Sequence, residues 1–194
     1  ERTVATIAKP TQRQSYTFTL SEPKSFYVDS FTPSGEFYWT ISSGGLSLQS
    51  SAFYYTDSYE NYAERVFTLP AGDYTFTVSA DVGKTGSAEF RLIDTSAATA
   101  LTFGQPTSAT LDPLRETDIY SFEASAGETI FYQHIGNQPQ ASLRIVDPDG
   151  RTVERWQQGH ARPEILDTTL SWTPPGSTAT LEIDLVELFR LALD

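Results

Sequence analysis

Polar and apolar residues alternate along two stretches of the chain that share one pattern. In the first stretch Tyr16 and Phe18 alternate with polar residues. In the second stretch Tyr120 and Phe122 do so. A period of two predicts β-strands with one buried face and one exposed face. The two stretches lie 104 positions apart. The chain is therefore predicted to contain two copies of one β module.

Each alternating stretch is followed by a short break and a second alternating stretch. Residues 14–20 and 25–29 are predicted to pair as a hairpin in the first copy. In the second copy residues 125–128 are small, contain Gly127 and suit a hairpin turn. Ile130 and Tyr132 then fall on one face of the returning strand.

The same alternation predicts the other strands of the first module. Residues 3–8, with Val4 and Ile7, are predicted to open it, and residues 66–69 to form a later strand. The inward-facing positions expected elsewhere in this module are Trp39, Ile41, Tyr74, Phe76, Val78, Ala88, Phe90 and Leu92.

Two connections in the first module differ in character. Residues 43–45 contain two glycines and predict a turn into a strand with Leu46 and Leu48. The period is then lost, and residues 49–65 are predicted to form a long, aromatic and acidic loop.

The boundary between the modules is predicted near residue 95, in a small and polar stretch. This gives modules at residues 1–95 and 96–194. In the second module residues 105–111 are predicted to repeat the opening strand. Leu143 and Ile145 stand where Trp39 and Ile41 stand in the first module.

The last part of the second copy departs from the repeat. A one-residue slip is needed to keep polar residues off the inner face. The residues then expected to point inward are Ala179, Leu181, Ile183 and Leu185. The counterpart of the closing strand would fall at positions 192–197, so the second module is predicted to lack it. We expect this to leave an unpaired edge that favours self-association.

Several phrases of the two copies resemble the bacterial pre-peptidase C-terminal domain family. The resemblance covers most of both modules and implies an all-β protein made of two antiparallel β-sandwich domains of jelly-roll type. It also implies an accessory role in exported proteases, adhesins or surface proteins, with polymer or calcium binding in some members. The matching phrases are Tyr16-x-Phe18, Tyr120-x-Phe122-x-Ala124-x-Ala126-Gly127, Leu143-x-Ile145-x-Asp147-Pro148-Asp149-Gly150 and Leu69-Pro70-Ala71-Gly72-Asp73-Tyr74-x-Phe76-x-Val78.

Composition narrows the range of partners. The net charge of −12 argues against nucleic acid and anionic membrane surfaces as partners. The chain has no cysteine, which excludes a disulfide framework and thiol chemistry. No apolar run approaches the length of a membrane span, and the first residues do not form a signal peptide. The chain is therefore either a mature product or a piece of a longer protein, and we expect the piece, because tandem modules seldom occur only in pairs. The family resemblance implies that this protein is secreted or displayed on a cell surface.

Catalytic motifs are missing from the sequence. The two histidines, His134 and His160, stand in dissimilar contexts, and no His-Glu-x-x-His or Gly-x-Ser-x-Gly sequence occurs. No glycine-rich phosphate loop precedes a predicted helix. We therefore expect a protein that is not an enzyme.

Calcium is the one cofactor that the sequence leaves open. Asp147 and Asp149 flank Pro148 before Gly150 and resemble part of an EF-hand loop, but both ends of that ligand set are absent. A hairpin turn is the favoured interpretation of this segment. Glu116 and Asp118 remain candidates for a calcium site of another type, since Ca²⁺ needs several oxygen ligands rather than a fixed motif.

A group of tyrosines in the predicted loop is the best candidate for ligand binding. Aromatic side chains exposed on a loop can stack on sugars or anchor a protein partner. The alternative is that they cover the open end of the sandwich. The group consists of Tyr54, Tyr55, Tyr59 and Tyr62.

The sequence therefore favours a non-catalytic spacer or adhesive module of a secreted or cell-surface bacterial protein. The alternative is an accessory domain of an exported hydrolase or protease that binds a polymer. In both cases the expected partner is an extracellular polysaccharide or matrix protein.

Overall fold

The computed structural model describes residues 1–56, 66–110, 116–123, 129–132, 142–148, 150–157, 168–171 and 178–184. Within these, residues 129–132, 142–143, 153–157, 168–171 and 178–184 are described by their backbone alone. Contacts divide the chain into two compact units, Glu1–Ser96 and Ala97–Asp194. Each unit is described by itself below.

The described residues of unit 1 form eight strands and one short helix. The helix, α1, spans Phe53–Thr56 between the fifth and sixth strands. The strands are β1 (Thr3–Ile7), β2 (Arg13–Leu20), β3 (Lys24–Ser30), β4 (Phe37–Ser43), β5 (Leu46–Ala52), β6 (Phe67–Leu69), β7 (Gly72–Ala80) and β8 (Gly86–Asp94).

These strands form two four-stranded sheets. Their orders are β1-β8-β3-β6 and β2-β7-β4-β5, and every neighbouring pair is antiparallel. Consecutive strands lie in different sheets except β4 and β5, which pair as a hairpin, and this is the jelly-roll arrangement. Unit 1 is therefore an antiparallel β-sandwich of the jelly-roll type that the sequence resemblance implied.

The predicted hairpin between residues 14–20 and 25–29 is wrong. β2 pairs with β7 along its whole length, while β3 pairs with β8 and β6 in the other sheet. The apolar sides of β2 and β3 face each other instead, with the rings of Phe18 and Phe26 6.0 Å apart. Two consecutive strands that each have one apolar face can pair in the same sheet, with both faces on the same side. They can also lie in different sheets and pack these faces against each other across the sandwich.

The core of unit 1 confirms the inward positions expected in β4 and β7. Trp39, Phe76 and Phe90 form a continuous stack, with ring centroids 5.8 Å apart for the first pair and 4.8 Å for the second. Phe76 and Phe90 are 2% and 4% exposed. The other buried members of this core are Ala5, Ile7, Leu20, Phe26, Val28, Phe37, Ile41, Phe53, Phe67, Leu69, Tyr74, Val78 and Ala88.

The connection between β4 and β5 is a two-residue hairpin turn. Gly44 and Gly45 have φ angles of 56° and 83°, which glycine adopts without steric cost. The strand predicted after this turn is present. Its residues Leu46 and Leu48 are exposed, however, because β5 is an edge strand of its sheet.

The loop predicted over residues 49–65 is wrong for its first part. Residues 49–52 continue β5, and α1 follows. Phe53 is fully buried, and its ring lies 5.4 Å from that of Phe90. Residues 57–65 lie outside the described residues. A helix of one turn carries no periodic signal that sequence reading could detect.

Unit 2 contains strands that follow the same plan in part. A single 3-10 turn, Thr95–Ala97, precedes them. They are β9 (Thr99–Ala100), β10 (Thr117–Glu123), β11 (Thr129–Tyr132), β12 (Ser142–Val146), β13 (Thr152–Gln157), β14 (Thr168–Ser171) and β15 (Thr178–Asp184).

The larger sheet of unit 2 has the order β13-β12-β15-β10-β9, and β11 pairs with β14 in a second sheet. In the larger sheet, the strands β13-β12-β15-β10 correspond to β5-β4-β7-β2 of unit 1. The hairpin predicted between residues 118–124 and 129–132 is therefore wrong here also, for the reason given for unit 1. Tyr120 and Phe122 are buried as expected, and so is Ile145.

The one-residue slip predicted near the end of the second copy is confirmed by strand register. Tyr16 pairs with Phe76 in unit 1, whereas Tyr120 pairs with Leu181, one position beyond the exact repeat. Leu185 and the region of the expected closing strand lie outside the described residues, so the expected open edge stays a prediction.

Residues 105–110 do not form the opening strand predicted for the second copy. They follow a turn in which Gly104 has a φ of 75° and the N–H of Gln105 donates to the carbonyl of Thr102. Pro106 has no N–H to donate to a neighbouring strand. The short strand β9 precedes this turn and pairs with β10 in parallel.

Two partly buried ion pairs tie β3 to β8. Arg91 contacts the fully buried carboxylate of Asp29, with Nη2 and Oδ2 2.7 Å apart. Lys24 Nζ lies 2.6 Å from Asp94 Oδ2. The hydrogen bond and charge of Asp94 raise the pKa of Lys24. Burial alone would raise the pKa of Asp94, but hydrogen bonds from Lys24 and Ser96 outweigh burial and lower it.

Replacing Phe76 by alanine should destabilise unit 1 by about 3–5 kcal/mol, because the truncation leaves a cavity in the middle of the aromatic stack. The free energy of unfolding would be measured by urea titration, with amide hydrogen exchange of peptides from residues 1–96 as the readout. Val82→Ala is the control. Val82 is 97% exposed, and its truncation should change the free energy by less than about 0.5 kcal/mol. A loss below about 1 kcal/mol for Phe76→Ala would contradict the described core.

The Lys24–Asp94 pair should make the stability of unit 1 depend on pH. Since the folded state lowers the pKa of Asp94, its contribution is present above the ordinary value of about 4 and is lost as pH falls further. Asp94→Asn should therefore flatten the decline of the urea midpoint between pH 5 and pH 2. Glu36→Gln is the matched control, because Glu36 also pairs with a lysine, Lys84, but both side chains are about half exposed. An equally steep decline in both variants would count against this role for Asp94.

Candidate functional site

The outer surface of the β2-β7-β4-β5 sheet in unit 1 consists largely of hydroxyl-bearing residues. They occupy the positions that alternate with the core aromatics, and the register aligns them in rows across the strands. None of them is buried. We call this surface the hydroxyl face, and its members are Ser15, Thr17, Thr19, Thr40, Ser42, Ser47, Ser50, Thr75, Thr77 and Ser79.

Hydrogen bonds hold part of the hydroxyl face in place. The side-chain oxygens of Ser15 and Thr77 lie 3.1 Å apart. Thr19 Oγ1 donates to Asp73 Oδ1 at 2.7 Å, at the end of the sheet near the β4–β5 turn. These bonds join β2 to β7, and cross-strand Thr and Ser pairs of this kind stabilise sheets modestly.

A cavity of about 620 Å³ lies at this end of the sheet. Residues 17–19 of β2, residues 73–75 of β7 and residues 42–45 of β4 and its turn line it. Cavities of this volume are within the range of small-molecule sites. The aromatic residues of this lining are Phe18 and Tyr74, and its serine, threonine and aspartate residues are Thr17, Thr19, Ser42, Ser43, Asp73 and Thr75.

Three tyrosines are grouped where α1 adjoins the sheet. Tyr38, Tyr54 and Tyr55 are 38%, 44% and 53% exposed. The rings of Tyr54 and Tyr55 meet edge to face, with centroids 5.1 Å apart. Tyr38 lies on the same side of β4 as the hydroxyl face, and it is aligned with Ala52, the residue before α1. We call these three residues the tyrosine surface.

Charges near the tyrosine surface act on Tyr38. The negative charge of Asp81 raises the pKa of Tyr38, with smaller contributions from burial and from a hydrogen bond of 3.4 Å that Tyr38 donates to Asp81 Oδ2. Tyr55 makes a further, smaller contribution to the same rise in the pKa of Tyr38. The phenol of Tyr38 therefore keeps its proton to a higher pH than an ordinary tyrosine does.

Core contacts fix the helix that carries Tyr54 and Tyr55. Trp39 Nε1 donates to Thr56 Oγ1 at 2.8 Å, and Thr56 Oγ1 donates to the carbonyl of Ala52 at 3.0 Å. Phe53 is fully buried beneath the helix. The two tyrosines thus stand on an element anchored at both ends rather than on a mobile loop.

Of the four tyrosines predicted to bind a ligand, the structure describes two, Tyr54 and Tyr55. Tyr54 and Tyr55 are adjacent and about half exposed, so part of each ring is accessible to a ligand. The alternative, that they cover the open end of the sandwich, stays a prediction. Phe53 of the same segment does become part of the core. Tyr59 and Tyr62 lie outside the described residues. The sequence reading missed Tyr38, although its alternation with Trp39 already indicated an outward position.

Asp147 acts as a turn residue between β12 and β13. Its Oδ1 accepts a hydrogen bond of 2.8 Å from the N–H of Arg151, and its carbonyl accepts one of 2.9 Å from Gly150. Gly150 has a φ of 86°. The favoured interpretation of this segment as a hairpin turn is confirmed. Asp149 lies outside the described residues.

The register does not bring the other calcium candidates to Asp147. Asp118 is aligned through Ile183 with Leu143, which is four residues, or about 13 Å of strand, from Asp147. Glu116 lies two residues before Asp118. Among the described residues, no three acidic or histidine side chains are grouped as a metal site.

The fold defines the class of protein as a tandem of two β-structured units, the first of them a jelly-roll sandwich. No family model and no curated protein matches the chain. Among solved structures, the chain is similar to one described as the CUB1-EGF-CUB2 domain of human MASP-1/3, at 10% identity and a TM-score of 0.31. That match covers 96% of this chain and 94% of the other. A likeness at this TM-score supports no inference about function.

Across the described part of the chain, none of the helices has the length and apolar character needed to cross a membrane.

Proposed function

We propose that the chain is a non-catalytic spacer and adhesive module of a secreted or cell-surface bacterial protein. It binds an extracellular polysaccharide through the tyrosine surface. The observation that carries the proposal is the exposure of Tyr38, Tyr54 and Tyr55 where α1 adjoins β4 and β5. The extracellular setting is an inference from the sequence resemblance to the pre-peptidase C-terminal domain family.

The chemistry of tyrosine supports binding to sugars. A tyrosine ring offers an apolar face for the C–H groups of a sugar ring, and its hydroxyl offers a donor and an acceptor for sugar hydroxyls. Because each ring has few rotatable bonds, ordering it on binding costs little entropy. Anchoring through Trp39 and Thr56 reduces this cost further, since α1 need not become ordered when the ligand binds.

The cavity on the same sheet favours a second candidate function. A polymer chain that enters it would be held at more than one point, as an accessory domain of an exported hydrolase would require. The two candidates share the tyrosine surface and differ in the protein to which the module is joined.

Replacing both Tyr54 and Tyr55 by alanine should weaken polysaccharide binding at least about thirtyfold, since aromatic anchors of this kind contribute about 2 kcal/mol or more. Binding would be screened on an array of neutral, N-acetylated and uronate-containing oligosaccharides and matrix proteins, and affinities then measured by calorimetry. Leu48→Ala is the matched control, because Leu48 is as exposed as Tyr54 and lies on β5 outside the tyrosine surface.

The proposal fails if the intact chain binds nothing on the array. It also fails if the double variant retains the affinity of the control. Binding to a matrix protein alone would keep the adhesive role but overturn polysaccharide as the ligand.

A further inference from the structure

We propose that the cavity on the hydroxyl face is a binding site for one ring of an uncharged sugar. This inference deepens the proposed function, because it assigns a ligand class to the sheet that carries the tyrosine surface. It rests on the proposed polysaccharide ligand, but the experiment below tests it separately with single sugars.

The cavity presents the hydrogen-bonding groups that a sugar needs. Each serine or threonine hydroxyl can donate one hydrogen bond and accept two, as a sugar hydroxyl can. Asp73 accepts a hydrogen bond from Thr19 through Oδ1. A carboxylate has about four lone-pair positions, so Asp73 keeps the capacity to accept further hydrogen bonds from a ligand.

The register sets these groups at regular intervals. Thr17 pairs with Thr75, and Thr75 pairs with Ser42, so three hydroxyl-bearing residues form one row across three strands. Neighbouring strands lie about 4.8 Å apart. The row therefore places three hydroxyl-bearing side chains along one wall of the cavity, with Asp73 one row away on β7.

The charge of the cavity favours an uncharged sugar over an anionic one. Among the described residues that line the cavity, one is a carboxylate and none is lysine or arginine. The whole chain carries a net charge of −12. A uronate or sulfated sugar would meet repulsion from Asp73 with no cation to offset it. An uncharged sugar avoids that repulsion and still offers hydroxyl donors to Asp73.

The cavity and the tyrosine surface are continuous along β4. Tyr38 and Ser42 lie on the same side of this strand, four residues or about 13 Å apart. Thr40 lies between them on the same side. An oligosaccharide that stacks on the tyrosine surface can therefore follow the hydroxyl face into the cavity.

The second unit shows that sheets of this kind do not require the hydroxyl groups. The repeat aligns Ser42 with Val146 and Thr40 with Arg144, and both of these are buried. In unit 2 the counterpart of the row Thr17–Thr75–Ser42 is Ser121–Thr180–Val146, so this row keeps two hydroxyl-bearing residues and loses the third. We expect no equivalent sugar site at these positions of unit 2.

The test replaces Thr75 by valine, which keeps the shape and strand preference of the side chain and removes its hydroxyl. The probes are methyl glycosides of glucose, galactose, mannose and N-acetylglucosamine, titrated into the full chain and followed by chemical-shift changes of backbone amides. Thr75→Val together with Asp73→Asn should weaken binding of the bound glycoside at least about tenfold. Thr77→Val is the matched control. It is the same change on the same strand and face, one row outside the cavity, and it should leave the affinity unchanged.

The outcomes separate the two proposals. Amide shifts at residues 17–19, 42–45 and 73–75 that are lost in the double variant support the cavity, whether or not the array detects a polymer. Polysaccharide binding that depends on Tyr54 and Tyr55 but not on Thr75 and Asp73 overturns the cavity and leaves the proposed function in place. Absence of shifts with all four glycosides, or equal loss in Thr77→Val, also overturns it.

Discussion

Unit 1 depends above all on the packing of aromatic rings between its two sheets. Trp39 on β4, Phe76 on β7 and Phe90 on β8 form one stack that crosses from one sheet to the other. Large aromatic residues bury much apolar area each and gain further from stacked geometry. The same stack carries the functional surface. The indole of Trp39 binds Thr56 of α1, and the ring of Phe90 supports Phe53. Burial inside the sandwich thus determines where the exposed tyrosines stand.

Much of the fold could be predicted from the alternation of polar and apolar residues. This alternation indicates which face of each strand is buried. It correctly placed Trp39, Phe76 and Phe122 in the interior and required the one-residue slip of β15. Alternation does not state which strand lies next to which, and this is why both hairpins were predicted wrongly. Consecutive strands with matching apolar faces satisfy the pattern whether they pair or pack across a sandwich. The two-residue strand β9 and the one-turn helix α1 are too short to show a period.

The candidate site was predictable only in part, for a related reason. Tyr54 and Tyr55 stood out because four tyrosines occur close together in the sequence. Tyr38 did not, because a single tyrosine within a strand is most simply explained as an ordinary solvent-facing residue. The cavity was not predicted at all. Its threonines and Asp73 become neighbours through the pairing of β2 with β7, and the sequence reading had assigned β2 to another partner. A wrong strand pairing therefore conceals the residues that a correct pairing brings together.

The parallel strand β9 has a consequence for how such units coexist in one chain. It lies against the outer edge of β10, and the N–H of Leu101 extends the contact by donating to the carbonyl of Ser121 at 2.7 Å. An exposed edge strand has unpaired N–H and C=O groups that can pair with a strand of another chain. Tandem copies of similar sequence are close enough to pair in this way. By occupying that edge with its own lead-in segment, the unit removes one route to intermolecular β-assembly. Residues 99–101 of unit 2 thus protect this edge of its sheet against misassembly.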